Sequence, residues 1–382
     1  MPAPWASAIP APGAKWTSRH PCPPTWSSSL TAGDIIATLT CNPEISIRIT
    51  DIKDMKRTIA IVAGGDSSEH DVSLRSAEGI LSFMDMEKYD CHVVEIKGKD
   101  WHVRYGTELL PIHRDDFSFT AADGPHHFDF AYITIHGTPG ENGILQGYFD
   151  LIGMPYSTSD VLVEALTFNK FSLNRFLQSF PDIRIVDSLL LRKGEALPAT
   201  ADMVQRLGLP CFVKPNAGGS SFGVTKVKTA EELQPAIERA MQESEEVMVE
   251  ALMTGTEITC GCYRKGDEVV TFPITEVVTT QEFFDYDAKY NGKVDEITPA
   301  RIQPETAQRV AETTRRLYRL LGCYGIIRID YILTGEPGAE QINLLEINTT
   351  PGMTATSFIP QQVRAAGLDI KDVLSDIIEG RF

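Results

Sequence analysis

Residues 212–227 read FVKPNAGGSSFGVTKV: a lysine, two glycines, two serines and a third glycine between two runs of strand-forming residues. A glycine-rich turn after a strand can bring backbone N–H groups up to phosphate, but the P-loop requires G-x-x-x-x-G-K-[ST], with the lysine late. Here Lys214 precedes Gly218, Gly219 and Gly223. The stretch is therefore a hairpin without a ligand or a nucleotide loop of another geometry, and the surrounding chain decides between them.

A chain of 382 residues is too long for one small core and predicts two or three domains with a cleft between them. The formal charge of −17 argues against nucleic acid as a partner, because displacing its counterions needs a basic face. An anionic ligand would instead need a local concentration of Lys and Arg. No apolar run of about 18 residues occurs, so no membrane span is expected. The seven cysteines are odd in number and never spaced C-x-x-C, which fits reduced thiols in a cytoplasm rather than a zinc site. Cys260 and Cys262 share a strand face and read as small buried hydrophobes.

Residues 1–54 hold eight of the 23 prolines and three of the four tryptophans without helical or strand periodicity. They read as a non-native or disordered extension, with Met55 as the natural start. The next segment, MKRTIAIVAGGDSSEHDVSLRSAEGILSFM, gives a buried-type strand over 59–63, a glycine turn and an amphipathic helix over 71–84. Strands at 91–96 and 129–135 and a helix at 143–151 complete a doubly wound unit, 55–158. A helical stretch over 159–178 opens a second, more antiparallel region, 159–253. Its expected strands are 183–191, 211–214, 222–227 and 246–250, with a helix over 230–242. A third region, 254–382, carries the helix ETAQRVAETTRRLYRLL, closed by Gly322 as a C-cap.

That helix leads into GIIRIDYILTGEPGAEQINLLEIN, residues 325–348, a hairpin with Gly and Pro at its turn. Period-two alternation puts Arg328 and Asp330 on one face, and Leu344, Glu346 and Asn348 on one face of the second strand. A turn centred near Gly338 sets Asp330 opposite Glu346 and Arg328 opposite Asn348, whereas a slip of one residue would undo the arrangement. Facing carboxylates repel unless something compensates them. A hard divalent cation held by two carboxylates and an amide is one solution; a solvated face with an ion pair is the other. TTPGMT follows directly, a loop whose N–H groups can line an oxyanion hole.

Lys214 ends a strand before the glycine loop, and Lys170 lies on the helix opening the second region. Lys289 lies in FFDYDAKYNGKVD, a polar and aromatic segment of lid-like composition. In VMVEALMTGTEIT, a strand with Glu250 runs into a short connection and then Glu257. Free backbone groups there can read an adenine edge, and a carboxylate beyond can hold ribose hydroxyls.

Taken in order, AGGDSSEHDVS, ITIHGTPGENGILQG, FVKPNAGGSSFGVTKV, YDAKY, GIIRIDYIL and LLEINTTPGMTATS resemble the D-alanine:D-alanine ligase family of the ATP-grasp superfamily, across residues 55–382. The resemblance implies a three-domain ATP-grasp fold, α/β and α+β. Its N-terminal domain would be doubly wound and Rossmann-like, with ATP held between two α+β domains. It implies ATP-dependent joining of two D-alanine molecules through an acyl phosphate, for peptidoglycan precursor synthesis in the cytoplasm. D-lactate or another D-amino acid as acceptor is the alternative. No membrane partner is implied, and a homodimer through the N-terminal domain is.

By the same resemblance, Lys170 and Lys214 would meet the phosphates, Lys289 would lie in the omega loop that closes over them, and Ser221 would bind the nucleotide. Glu250, Ala251 and Met253 would surround the adenine, and Glu257 would meet the ribose. Asp330, Glu346 and Asn348 would hold two Mg²⁺ ions, or Mn²⁺. Arg328 and the Gly352 N–H would stabilise the tetrahedral oxyanion. Glu69 would hold the first substrate's ammonium with His136 nearby, while Ser357 and Phe358 would border the second. Ser220 and Tyr290 would hydrogen-bond with Glu69 to tie loop, lid and first domain together, and Tyr290 favours dipeptide over ester. One departure is Ala217-Gly218, where many relatives carry a charge before the serines. A nucleotide-binding module that has lost catalysis would lack part of this set, yet Arg328, Asp330, Glu346, Asn348 and Gly352 are all present.

Overall fold

The computed structural model describes residues 56–219, 223–279 and 294–382. β1 (Arg57–Gly64) runs into α1 (His70–Phe83) and β2 (Tyr89–Lys97). Four short strands follow, β3 (Asp100–Tyr105), β4 (Glu108–His113), β5 (Ser118–Ala121) and β6 (Gly124–His126), then β7 (Phe130–Ile133) and α2 (Ile144–Ile152). The sheet order is β6-β5-β4-β3-β2-β1-β7, with β1 parallel to both β2 and β7. Every residue of β1 from Ile59 to Gly64 is buried, as a strand covered on both faces must be.

One face of that sheet, through Ile59 and Ile61, packs on Ala77 and Ile80 of α1, and Ala60 and Val62 pack the other way on Leu145 and Phe149 of α2. The parallel part is the expected doubly wound unit. The antiparallel meander β3–β6 extends it where no strand was expected, because its half-exposed strands carry charged and polar residues that blur the alternation.

Two helices, α3 (Val161–Phe168) and α4 (Lys170–Leu177), replace the single helical stretch expected over 159–178. Asn169 leaves the helical region at φ −87°, ψ 94°, and its side chain accepts from Ser172 N–H. Asparagine competes with the helix backbone in this way, so it ends one helix and caps the next.

The second sheet comprises β9 (Ser188–Arg192), β10 (Cys211–Pro215), β11 (Thr225–Val227) and β12 (Glu246–Ala251), in the order β11-β10-β12-β9. It packs on α5 (Thr200–Leu207), which the sequence reading missed, and α6 (Ala230–Glu243). β8 (Arg184–Ile185) belongs instead to the third sheet.

The third sheet continues with β13 (Thr256–Lys265), β14 (Glu268–Thr271), β15 (Thr275–Thr279), β16 (Val294–Ile297), β17 (Ile327–Thr334) and β18 (Gln341–Asn348). Its helices are α7 (Pro304–Leu321), ended by Gly322 at φ 73° as expected, α8 (Phe358–Ala365) and α9 (Ile370–Glu379). Leu374, Ile377 and Ile378 of α9 join the core that covers the first sheet. The first and last parts of the chain therefore share one apolar cluster. The five described cysteines are free and buried, and for Cys260 and Cys262 this agrees with their reading as small hydrophobes.

Gly325 enters β17 at φ +72°, and a Cβ there would collide with the Ser157 carbonyl. Gly325→Ala combines a left-handed backbone with overpacking, and is expected to lower unfolding free energy by about 3 kcal/mol. A urea titration with an unmoved midpoint would contradict this account of the junction.

Candidate functional site

The β17–β18 ladder pairs Arg328 with Asn348 and Asp330 with Glu346, the register expected from a turn centred near Gly338. Nearer the turn the pairing is Tyr331 with Leu344 and Thr334 with Gln341, one step different. A bulge at Leu345 absorbs that step. Continued without it, the ladder would face Asp330 with Leu345, so the bulge re-aims Glu346 at its partner. It also corrects the placing of Leu344 with Glu346: Leu344 pairs with buried Tyr331 and lies in the core on the opposite face.

Arg328 grips Asp330 with both prongs, Nε to Oδ1 at 2.9 Å and Nη2 to Oδ2 at 2.8 Å, and Thr259 donates to Oδ1 at 2.5 Å. Burial opposes the guanidinium charge, but Asp330 and Glu346 outweigh it and raise the Arg328 pKa. Asn348 Nδ2 lies 3.3 Å from Asp330 Oδ2 and 3.4 Å from Glu346 Oε1. Lys170 approaches Glu346 at 3.9 Å and donates to the Gly218 carbonyl at 2.7 Å, so one ammonium touches both the hairpin and the glycine loop. Burial lowers its pKa, opposed by Glu346. Arg328 and Lys170 thus already compensate the two facing acids.

Among the described residues no group of three or more His, Cys, Asp or Glu side chains is placed to hold a metal ion. A cation here would take two carboxylates and the Asn348 amide, whose end must turn over to present oxygen. Such a hard, partial donor set suits Mg²⁺, which keeps coordination places for water and substrate oxygens.

Lys214 and Glu250 form a buried pair at 2.7 Å on β10 and β12. Half-buried Ala251 ends β12, and Leu252 and Met253, also half-buried, run without regular structure toward β13. On β13, Glu257 and Thr259 share the face of Asp330, through Glu257–Ile332 and Thr259–Asp330 pairing.

From the first domain, buried Glu69 sits just before α1, close enough to Gly219 that any Cβ there would strike its carboxylate. His136 is buried, and its Nε2 meets Ser76 Oγ at 3.1 Å; Met353 N–H donates to that same oxygen at 3.4 Å. Burial lowers the His136 pKa, partly offset by Glu69. Gly352 lies against the Ser357 side chain, and the Phe358 ring lies 5.2 Å from the Arg328 guanidinium carbon. Glu69, His136, Lys170, Arg328 and the hairpin acids therefore face one region. Ser220, Ser221, Lys289 and Tyr290 lie outside the described residues.

Two acids at this region escaped the sequence reading. Glu141 lines a narrow cavity with Lys170, Gly218, Gly219, Glu346 and Asn348. It accepts from Gly137 N–H at 2.7 Å, and burial, reinforced by Glu69, raises its pKa to about 7. The GENG turn that carries it sits inside a quoted motif and was the available signal. Glu296 on β16 pairs with Val277, which shares the Glu257 face. It accepts from Gln361 at 2.5 Å, and burial raises its pKa. Its strand register could not be read without the third sheet.

The chain matches the family profiles described as D-ala D-ala ligase N-terminus over residues 58–159 and D-ala D-ala ligase C-terminus over 178–379. It is 64% identical over 329 residues to the "D-alanine--D-alanine ligase" of Phocaeicola vulgatus, covering 86% of this chain and 100% of the relative. The Porphyromonas gingivalis W83 protein of the same name is 56% identical over 324 residues, covering 85% and 97%. Among solved structures, the VanG D-Ala:D-Ser ligase of Enterococcus faecalis superposes with a TM-score of 0.74 at 30% identity, covering 86% and 100%. The Bacillus anthracis D-alanine–D-alanine ligase complexed with ATP gives 0.67 at 28%, covering 85% and 96%. Fold, site geometry and these relatives agree: the chain belongs to the D-alanine:D-alanine ligase family, on an ATP-grasp fold.

Proposed function

We propose that this protein joins two D-alanine molecules into D-alanyl-D-alanine at the expense of ATP, releasing ADP and phosphate, for peptidoglycan precursor synthesis. The observation that carries the reading is the Asp330–Glu346 pairing, with Lys170 spanning from it to the glycine loop. The functional regions are 55–158, 159–253 and 254–382, with ATP between the last two. Ala251 to Met253 and Glu250 border the adenine, Glu257 the ribose, and Lys170 and Lys214 the phosphates. In that role Lys214 shares its charge between Glu250 and phosphate.

Two Mg²⁺ ions, or Mn²⁺, held by Asp330, Glu346 and Asn348 would neutralise phosphate charge. Glu69 holds the ammonium of the first D-alanine, whose carboxylate takes the γ-phosphoryl group to become an acyl phosphate. Ser357 and Phe358 border the second, whose amine attacks the acyl carbon. Arg328 and the Gly352 N–H then receive the oxyanion, and phosphate leaves. Ser220, Ser221, Lys289 and Tyr290 complete the loop and lid of this reading. The D-alanine acceptor is favoured over D-serine by the 64% identity to a ligase named for two D-alanines, against 30% to one named for D-serine.

We place the enzyme in the cytoplasm, where ATP and reduced thiols coexist, without nucleic acid or membrane partners; among the described residues no helix is long and apolar enough to cross a membrane. A homodimer through the first domain is supported by Ile144 and Leu151, one α2 face apart by seven residues and both exposed. Sedimentation equilibrium returning only the monomer mass would exclude it.

Purified protein given ATP, Mg²⁺ and D-alanine should release phosphate and form dipeptide, with D-lactate and D-serine much poorer acceptors. Absence of D-alanine-dependent phosphate release would refute the ligase reading. Arg328→Ala should lower kcat by about 10²–10³-fold with little change in KM for ATP, as removal of an oxyanion donor does.

Glu141 supplies a pH test. Its pKa of about 7, above the ordinary 4.5, means the native state keeps a proton the unfolded chain has lost between those values. The associated stability is complete below pH 4.5 and lost as pH rises through 7, a change on the order of 3 kcal/mol. Glu141→Gln should flatten that part of the profile, measured by urea denaturation at pH 5 and pH 8; an unchanged slope would show that Glu141 is not the source.

A further inference from the structure

Glu164 lies fully buried on α3, and no cation among the described residues pairs with it. Its Oε1 accepts from Ser159 N–H at 3.0 Å, and its Oε2 meets the Thr349 hydroxyl at 2.5 Å. The first contact is local: a side chain in the first turns of a helix reaches back past the Asp160 cap, much as in a capping box. Helix capping needs only that one oxygen. The second contact joins residues 185 apart in sequence, and Thr349 directly follows Asn348 and precedes Gly352 by three.

Ser159 also holds the other end of the hairpin. Its hydroxyl accepts from Tyr324 N–H at 3.0 Å and donates to the Tyr324 carbonyl at 3.3 Å, just before β17 begins. The Ser159–Glu164 unit therefore grips both the chain entering the Arg328–Asp330 strand and the chain leaving Glu346 and Asn348.

We infer that Glu164 is a positioning residue for ligation, bridging Ser159 and Thr349 so that Asn348 and the Gly352 N–H are held in place. This rests on the site reading above. Burial raises the pKa of the carboxyl well above its ordinary value, opposed by the Thr349 hydrogen bond and reinforced by Glu141. Both oxygens accept, Oε1 from the Ser159 N–H and Oε2 from the Thr349 hydroxyl. A glutamine keeps the length and two polar ends, its oxygen able to accept from Ser159 and its amide nitrogen able to donate to the Thr349 hydroxyl oxygen, whereas a leucine keeps neither contact.

Glu164→Leu should lower kcat on the order of tenfold to a hundredfold, the scale of a small misplacement of catalytic groups, while KM for ATP changes less than about twofold. Glu164→Gln should stay within about threefold of the parent enzyme. Thr349→Val should match Glu164→Leu, and the double variant should be no worse than either, because both remove one contact. Hydrogen exchange in peptides covering 349–353 should quicken in Glu164→Leu and not in Glu164→Gln.

Three results would each overturn the inference: a folded Glu164→Leu with parental kcat and exchange, Glu164→Gln as impaired as Glu164→Leu, or losses that multiply in the double variant. A parent protein that makes no dipeptide would instead sink the ligase reading, and the exchange comparison would still report on the bridge.

Discussion

Two carboxylates face each other across the β17–β18 ladder, and the arrangement around them follows from making that tolerable. Asp330 and Glu346 repel, and Arg328 answers from the same strand with a two-pronged bond at 2.8 and 2.9 Å. Lys170 answers from another sheet's neighbourhood. Removing one partner from a buried pair costs about 3–5 kcal/mol, because an uncompensated charge remains. The hairpin is thereby coupled electrostatically to α4, and through the Gly218 carbonyl to the glycine loop.

The net charge of −17 makes that local supply of cations more telling. An acidic molecule that handles a polyphosphate cannot rely on its overall field, so its cations must be placed one by one. Lys170, Lys214 and Arg328 are each buried or nearly so and each held against an acid. A lysine placed before the glycines sits at the base of the loop, on the strand side. A P-loop lysine sits at the helix side, and the two orders require different folds.

Much of this was legible because the governing periods are local. β1 reads as a strand buried on both faces, Gly322 as a helix end, and the hairpin register as a symmetric turn with acids opposed. The bulge at Leu345 was not legible, since alternation alone cannot mark an extra residue; the site register came out right while Leu344 was placed on the wrong face. Asn169 hid the break between α3 and α4, because asparagine inside an apolar pattern signals a cap only once the neighbouring turns are known. The β3–β6 meander was lost for the opposite reason: its strands are half-exposed, so their hydrophobic signal is weak. Glu296 and Glu164 owe their surroundings to segments tens to hundreds of residues away, which no local pattern contains.

The acids of the first half of the chain follow one logic. Glu69, Glu141 and Glu164 are all buried, and each meets backbone or hydroxyl donors or the glycine loop rather than bulk water. A reactive acyl phosphate survives only where water is excluded, and excluding water raises the free energy of every charge left inside. Where a charge is needed, at Asp330, a fork of arginine nitrogens holds it. At Glu164, where no cation among the described residues answers it, burial raises the pKa and the carboxyl serves through hydrogen bonds. Glu141, with a pKa near neutrality and Lys170 and Glu69 around it, stands between these cases. Burial therefore sorts these carboxyl groups by what answers them, a guanidinium at Asp330 and hydrogen-bond donors at Glu164.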